Sequence, residues 1–260
     1  MYNIYIKDTG GFFIAFQTVF KRYELKYLLT LEQKERILEA IKPYMELDKY
    51  GRTTIRNIYF DTDNYRLIRR SIEKPAYKEK LRIRSYCQAT PDSTVFIELK
   101  KKYDHIVYKR RISLPEQEAM RWICDREKCP KDTQISHEID YFVDFYEGLH
   151  PAVFLSYERE AFYERDGGDF RVTFDDRILC RQEDISLTSP AYGTPLLEDG
   201  TVLMEIKCSG GIPLWMTEVL SELHTYKTSF SKYGTAYREL IFPKTNLLNQ
   251  YHSKEIVLHA

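Results

Sequence analysis

Histidine, glycine and cysteine are scarce in this chain, and each shortage removes a class of chemistry. Six histidines in 260 residues leave little room for histidine-based relays. His137–Glu138 opens like a zinc motif, but position 141 is Tyr rather than a second histidine. Eleven glycines include no GxGxxG and no GxxxxGK[ST], so no nucleotide loop is indicated, and Gly210–Gly211 reads as a turn. Cys87, Cys124, Cys129, Cys180 and Cys208 are odd in number and lack CxxC spacing. That excludes a disulfide scaffold or a structural zinc site and fits a reducing compartment, with the cytoplasm as the expected location. No apolar run approaches a membrane span, and MYNIYIKDTGGFF has no basic region followed by a long apolar stretch. Net charge is absent too: 39 basic residues balance 39 acidic ones, which argues against a general nucleic-acid or membrane coat.

The balance fails locally. Residues 65–111 hold 14 Lys or Arg against 5 Asp or Glu. Within 78–84 the cations Lys78, Lys80, Arg82 and Arg84 alternate with Leu81 and Ile83, and a strand sends alternate side chains to opposite faces. The split recurs. Glu24 and Lys26, Glu98, Lys100 and Lys102, Glu158 and Glu160, Arg171 and Asp175, and Glu205 and Lys207 all alternate with other residues. A single such strand would ordinarily turn its polar side to solvent. Five or six carrying both charge signs predict a wet interior lined by charge, because unpaired buried charge is prohibitively costly.

Strands are predicted over 20–28, 54–60, 77–86, 94–101, 106–113, 152–162, 169–177 and 201–208. Thr30 and Gln33 form a capping box for a helix over 31–44. Further helices are expected over 116–126, near 134–148, within 213–224 and up to about Leu240, and Asp166–Gly167 marks a hairpin turn. Dense strands with intervening helices predict an α+β domain built on an antiparallel barrel with helices outside it.

A phosphate chain needs several cations, and Arg adds bidentate hydrogen bonds that Lys cannot. Carboxylates beside phosphates repel them unless a divalent ion intervenes, so Glu24, Glu158, Glu160 and Glu205 are candidate ligands for Mg or Mn, with salt bridging as their alternative. Glu98 reads equally as a ligand or as a salt-bridge partner.

FKRYELKYLLT at 20–30, RNIYFDTDN at 56–64, KEKLRIRSY at 78–86, VFIELKKK at 95–102, YKRR at 108–111, VFLSYERE at 153–160, FRVTFD at 170–175, MEIK at 204–207 and SFSKY at 229–233 together resemble the VTC domain, the catalytic module of polyphosphate polymerases. The resemblance spans 20–242, leaving 1–19 as an N-terminal segment and 243–260 as a tail. It implies the triphosphate tunnel fold related to CYTH enzymes, a closed eight-stranded antiparallel barrel. It also implies phosphate-binding roles for Lys26, Lys80, Arg82, Arg84, Lys100, Lys109, Arg111, Arg159 and Arg171, and a metal role for Glu205. Lys26, Arg82, Arg84, Lys100 and Glu205 would be the catalytic group. Lys227, Ser231 and Lys232 correspond to the late segment that closes over phosphate. Arg22 stands where the CYTH pattern Glu-x-Glu-x-Lys has its first Glu, which disfavours thiamine-triphosphatase or adenylate-cyclase activity and fits the VTC branch. The implied partners are ATP and inorganic polyphosphate, with no nucleic acid. Polymerisation coupled to translocation would need a separate membrane subunit. A tunnel triphosphatase and a non-catalytic polyphosphate or inositol-phosphate module remain as alternatives, and the oligomeric state is not implied.

Overall fold

The alternating segments become one antiparallel sheet. The computed structural model describes residues 19–20, 23–104 and 106–245. Arg22 therefore lies outside the described residues, as do the N-terminal segment before Val19 and the tail beyond 245. In chain order the elements are β1 (Val19–Phe20), β2 (Tyr23–Leu29), α1 (Leu31–Ile41), β3 (Met45–Leu47), β4 (Thr53–Asp61), α2 (Arg66–Ile72), β5 (Tyr77–Tyr86), β6 (Thr94–Tyr103) and β7 (Ile106–Pro115). Then come α3 (Glu116–Cys124), α4 (Gln134–Phe145), β8 (His150–Glu164), β9 (Arg171–Arg181), β10 (Thr194–Pro195), β11 (Val202–Cys208), α5 (Leu214–Glu222), β12 (Lys227–Thr228), α6 (Lys232–Ala236) and a π-helical turn, Tyr237–Ile241. Among the described residues no helix is long and apolar enough to cross a membrane.

The strands pair in the order β1-β7-β6-β5-β4-β8-β9-β11-β2-β12, with β10 on β9 and β3 on β8. The expectation of a closed, eight-stranded barrel is corrected on both counts: the sheet has twelve strands and is open. Its outermost long strands, β7 and β2, pair with the short β1 and β12 rather than with each other. The sheet nonetheless curls, because Lys100 on β6 reaches Glu24 on β2 at 3.1 Å although five strands separate them in the pairing order.

Each face is packed according to its chemistry. Outside β5, β6 and β7, the residues Leu81, Ile83, Ile97, Leu99 and Leu114 meet Trp122 of α3 and Ile139 and Phe142 of α4. Outside β2, β9 and β11, Leu29, Val172, Phe174 and Met204 meet Ile37 and Ile41 of α1 and Met216 and Leu220 of α5. A third apolar cluster fills part of the concave face, where Tyr59, Leu155 and Tyr157 hold Tyr233, Ala236 and Tyr237 of the last helical segment. That segment therefore sits inside the curl.

Local signals explain most boundaries. The Thr30 side chain accepts from Gln33 N at 3.1 Å, Gln33 returns the bond to Thr30 N at 3.0 Å, and α1 begins at Leu31 as the capping box predicts. Gly167, with φ +75°, turns β8 into β9. The helix α2 is not foreshadowed by a local cap. Its amides are met from a distance by fully buried Asp61, which accepts from Leu67 N at 2.8 Å and Ile68 N at 2.9 Å.

Candidate anion site in the concave face

Register places the predicted cations side by side. Lys80 stands opposite Lys100, and Lys100 opposite Lys109, so three lysines form one transverse row across β5, β6 and β7. One step along, Arg82 stands opposite Glu98 and Glu98 opposite Arg111. Lys78 faces Lys102. Directly opposed like charges destabilise a sheet, so the lysine row is a cost the protein carries without an anion.

The two rows differ in how they are paired. Glu98 is almost fully buried and gathers Arg82 at 2.6 Å, Lys109 at 2.7 Å and Arg111 at 3.3 Å. Burial pushes its carboxyl up, but Arg82, Arg84 and Lys109 outweigh that and hold it far below the usual carboxylate range. Glu98 is thus a structural counter-ion, the salt-bridge half of the sequence reading. Lys80 has no carboxylate within ion-pair distance among the described residues, and its bond is to Ser231 Oγ at 3.4 Å. Burial first, and then Lys78, Lys100 and Lys26, push its ammonium down to about 8. Lys78 is lowered in the same sense by burial, Lys102 and Lys100. Among the described residues Lys100 pairs only with half-exposed Glu24.

Arg84 is held by neutral groups, donating to Asn57 Oδ1 at 2.9 Å and to Tyr157 Oη at 3.1 Å. Arg82 also donates to Tyr59 Oη at 2.9 Å. Asn57, Tyr59 and Tyr157 were missed by the charge argument. Their only signal in sequence is that they share the alternating face of β4 and β8 with the charged positions.

The far wall carries a second cluster. Fully buried Asp175 takes both Arg159 nitrogens at 2.6 Å and Lys232 at 2.5 Å. Glu205 is shared by Lys26 at 3.3 Å, Lys232 at 3.5 Å, Lys207 at 3.6 Å and Arg159 at 3.8 Å. Burial opposes ionisation of both carboxyls, and the surrounding cations overcome it. Lys26 also donates to Phe230 O at 2.8 Å, tying the segment before α6 to the wall. Arg171, opposite Lys207, lies exposed on the same face.

Three predicted residues lie elsewhere. Glu158 and Glu160 alternate with Arg159 and so point to the convex face, where Glu158 accepts from Thr54 Oγ1 at 2.8 Å and Glu160 from Lys34 at 2.5 Å. Neither is placed to be a ligand in the concave site. Lys227 stands opposite Tyr27, a residue of the outer core, and is exposed on that side instead of beside phosphate. Ser231 caps α6, accepting from Gly234 N at 3.3 Å and from Lys80 Nζ at 3.4 Å.

Among the described residues no group of three or more His, Cys, Asp or Glu side chains converges on one point. Glu24 and Glu205 are the two predicted ligands that share the concave face, each diagonal to the other across β2 and β11. Two carboxylates fit an ion of the Mg type, which keeps waters and takes most other oxygens from substrate phosphates.

No curated protein matches the sequence. A crystal structure from Bacillus halodurans, provisionally named an adenylate cyclase, aligns with a TM-score of 0.51 at 16% identity, covering 83% of this chain and 96% of that one. It shares the mixed α+β fold with a large antiparallel sheet. Also similar are a Vibrio parahaemolyticus protein provisionally named an adenylate cyclase (TM-score 0.45, 13% identity, 84% and 98% covered) and a Hippeastrum protein named for adenylyl cyclase with dominant triphosphatase activity (0.46, 15%, 83% and 95%). The VTC domain family matches residues 21–241, which takes in every strand of the concave site. By that match the chain belongs to the VTC domain family.

Proposed function

We propose that the chain is a metal-dependent polyphosphate polymerase that transfers the γ phosphate of ATP to the end of a growing polyphosphate chain. The observation that carries the reading is the Lys80–Lys100–Lys109 row, with Lys80 partly buried and, among the described residues, lacking a carboxylate. Such a row is favourable only when anionic oxygens lie along it. A series of evenly spaced phosphates supplies them better than a single anion does.

Arg84, Arg82 and Lys80 line one strand face at two-residue steps, so successive phosphates meet successive cations. A terminal phosphate oxygen of the acceptor is already an anionic nucleophile, so the protein needs no base to activate it. Its contribution is alignment and charge stabilisation. The acceptor oxygen forms a bond to the γ phosphorus while the bond to the β–γ bridging oxygen breaks, and ADP leaves with that electron pair. Lys26, Lys207 and Arg159 surround the position beside Glu205 and would meet the charge that develops on the equatorial oxygens. A divalent ion held by Glu205 and Glu24 would neutralise phosphate charge. Water in the acceptor position would give hydrolysis by the same geometry.

The test is incubation of the full chain with ATP and Mg or Mn, resolving chain products from orthophosphate. Chains longer than triphosphate are expected. Orthophosphate alone would replace polymerase with triphosphatase, and binding without turnover would leave a receptor.

A further inference from the structure

The charged strand face ends in rings. Two residues beyond Arg84 on β5 is Tyr86, and directly opposite Arg84 on β6 is Phe96, so both share the face of the cation rows. Tyr86 is 48% exposed although its ring meets the edge of Phe96 at 5.6 Å between centroids. The Arg111 guanidinium lies over Phe96, 3.6 Å from the ring centroid, and donates to Tyr86 Oη at 3.2 Å. Burial pushes the Tyr86 phenol up, yet Arg84 and Arg111 pull it below its ordinary value, which marks the ring as standing in the same positive field as the phosphate rows.

Nothing in the packing requires a half-exposed ring here. The outer core of this region is complete without Tyr86, which belongs to none of the apolar clusters. Flat π surfaces beside cations are what a nucleobase stacks on, and stacking accepts any base because every base has a π face. The distance suits such a ligand, since Tyr86 lies four residues from Arg82, roughly 13 Å along the strand. A nucleoside on Tyr86 would send its phosphates along Arg84 and Arg82 toward the lysine row.

We infer that Tyr86, with Phe96 and Arg111 behind it, is a nucleobase platform that makes the site prefer a nucleoside triphosphate over a bare phosphate chain of the same length. The inference rests on the phosphate-chain reading and adds an orientation to it: base at the Tyr86 end, terminal phosphate toward Lys80, Lys100 and Lys109.

Calorimetric titration of the full chain with ATP and with inorganic tripolyphosphate, both without divalent metal, tests it. In Tyr86→Ala the affinity for ATP should fall about 5- to 100-fold, the range for loss of one base stack. Affinity for tripolyphosphate should change by no more than about 2-fold by the same scale, and Tyr86→Phe should keep the wild-type ratio because the ring remains. Equal losses for both ligands, an unchanged affinity for ATP in Tyr86→Ala, or wild-type binding of tripolyphosphate but not ATP would overturn the platform and leave the phosphate site standing. Wild-type binding of neither ligand would overturn the phosphate-chain reading and the platform with it.

Discussion

Arg82 and Arg84 sit two residues apart on one strand face, yet their truncation should have different consequences. Arg82 is the most buried of the three cations on Glu98, so Arg82→Ala leaves that buried carboxylate to Lys109 and Arg111 and should lower stability. Arg84 is held by Asn57 and Tyr157, both neutral, so Arg84→Ala leaves no orphaned charge. Thermal unfolding alongside tripolyphosphate titration should therefore show a smaller fall in Tm for Arg84→Ala, with affinity reduced at least about tenfold in each variant, the loss expected from one charge-assisted contact. Equal Tm losses would mean that Glu98 is not the anchor of this wall.

The lysine row also gives the site a pH dependence with a defined sign. Lys80 titrates near 8 in the folded chain, below its ordinary 10.5. Between those values the unfolded chain binds more protons, so stability rises with pH across that window. Anion binding has the opposite trend, since phosphate must recharge Lys80 and affinity falls as pH passes about 8. Titrating tripolyphosphate from neutral to mildly alkaline pH should give a steeper decline for wild type than for Lys80→Arg, whose guanidinium stays charged. Parallel curves would remove Lys80 from the site.

At the scale of elements, the segment from Phe230 to Lys232 joins α6 to the concave wall through Lys26, Lys80 and Asp175. The family resemblance makes Lys232 part of a segment that closes over phosphate. Its burial against Asp175 and Glu205 means that Lys232→Ala should also lower Tm by several degrees, because two buried carboxylates lose a shared partner. Asp175→Asn should lower Tm as well, and the double variant should lose less than the two single losses summed. Strict additivity would show that the pair does not act as a unit.

Local chemistry explains which elements could be read in advance. The alternation of 77–86 fixes β5 to the residue, and the capping box fixes the start of α1. The helix α2 was invisible because its N-terminus is held by Asp61, six and seven residues back, and by Thr62, four back from Arg66, with no side-chain cap from Tyr65. Likewise, alternation put Glu158 and Glu160 together but could not say which face of β8 turns inward. That choice is made by Tyr157 and Arg159, which point to α6 and Asp175.

For the molecule as a whole, alternation yields faces but not which strand edges meet, so closure could not be read from sequence. The long strands nearest the two ends of the pairing order, β7 and β2, carry the short β1 and β12 and do not pair with each other. The curl then gathers cations from β2, β5, β6, β7, β8 and β11 around one cleft, a convergence that no single segment announces. The central claim is that this cleft carries a row of opposed lysines, with Lys80 lacking a carboxylate among the described residues, in order to hold a phosphate chain. Its most direct test is thermal unfolding of wild type and Lys80→Met, with and without tripolyphosphate. Relief of a row of opposed like charges predicts that Lys80→Met unfolds at a higher temperature than wild type without ligand and loses most of the upward shift that tripolyphosphate gives wild type. A lower Tm without ligand, together with an undiminished tripolyphosphate shift, would contradict the account.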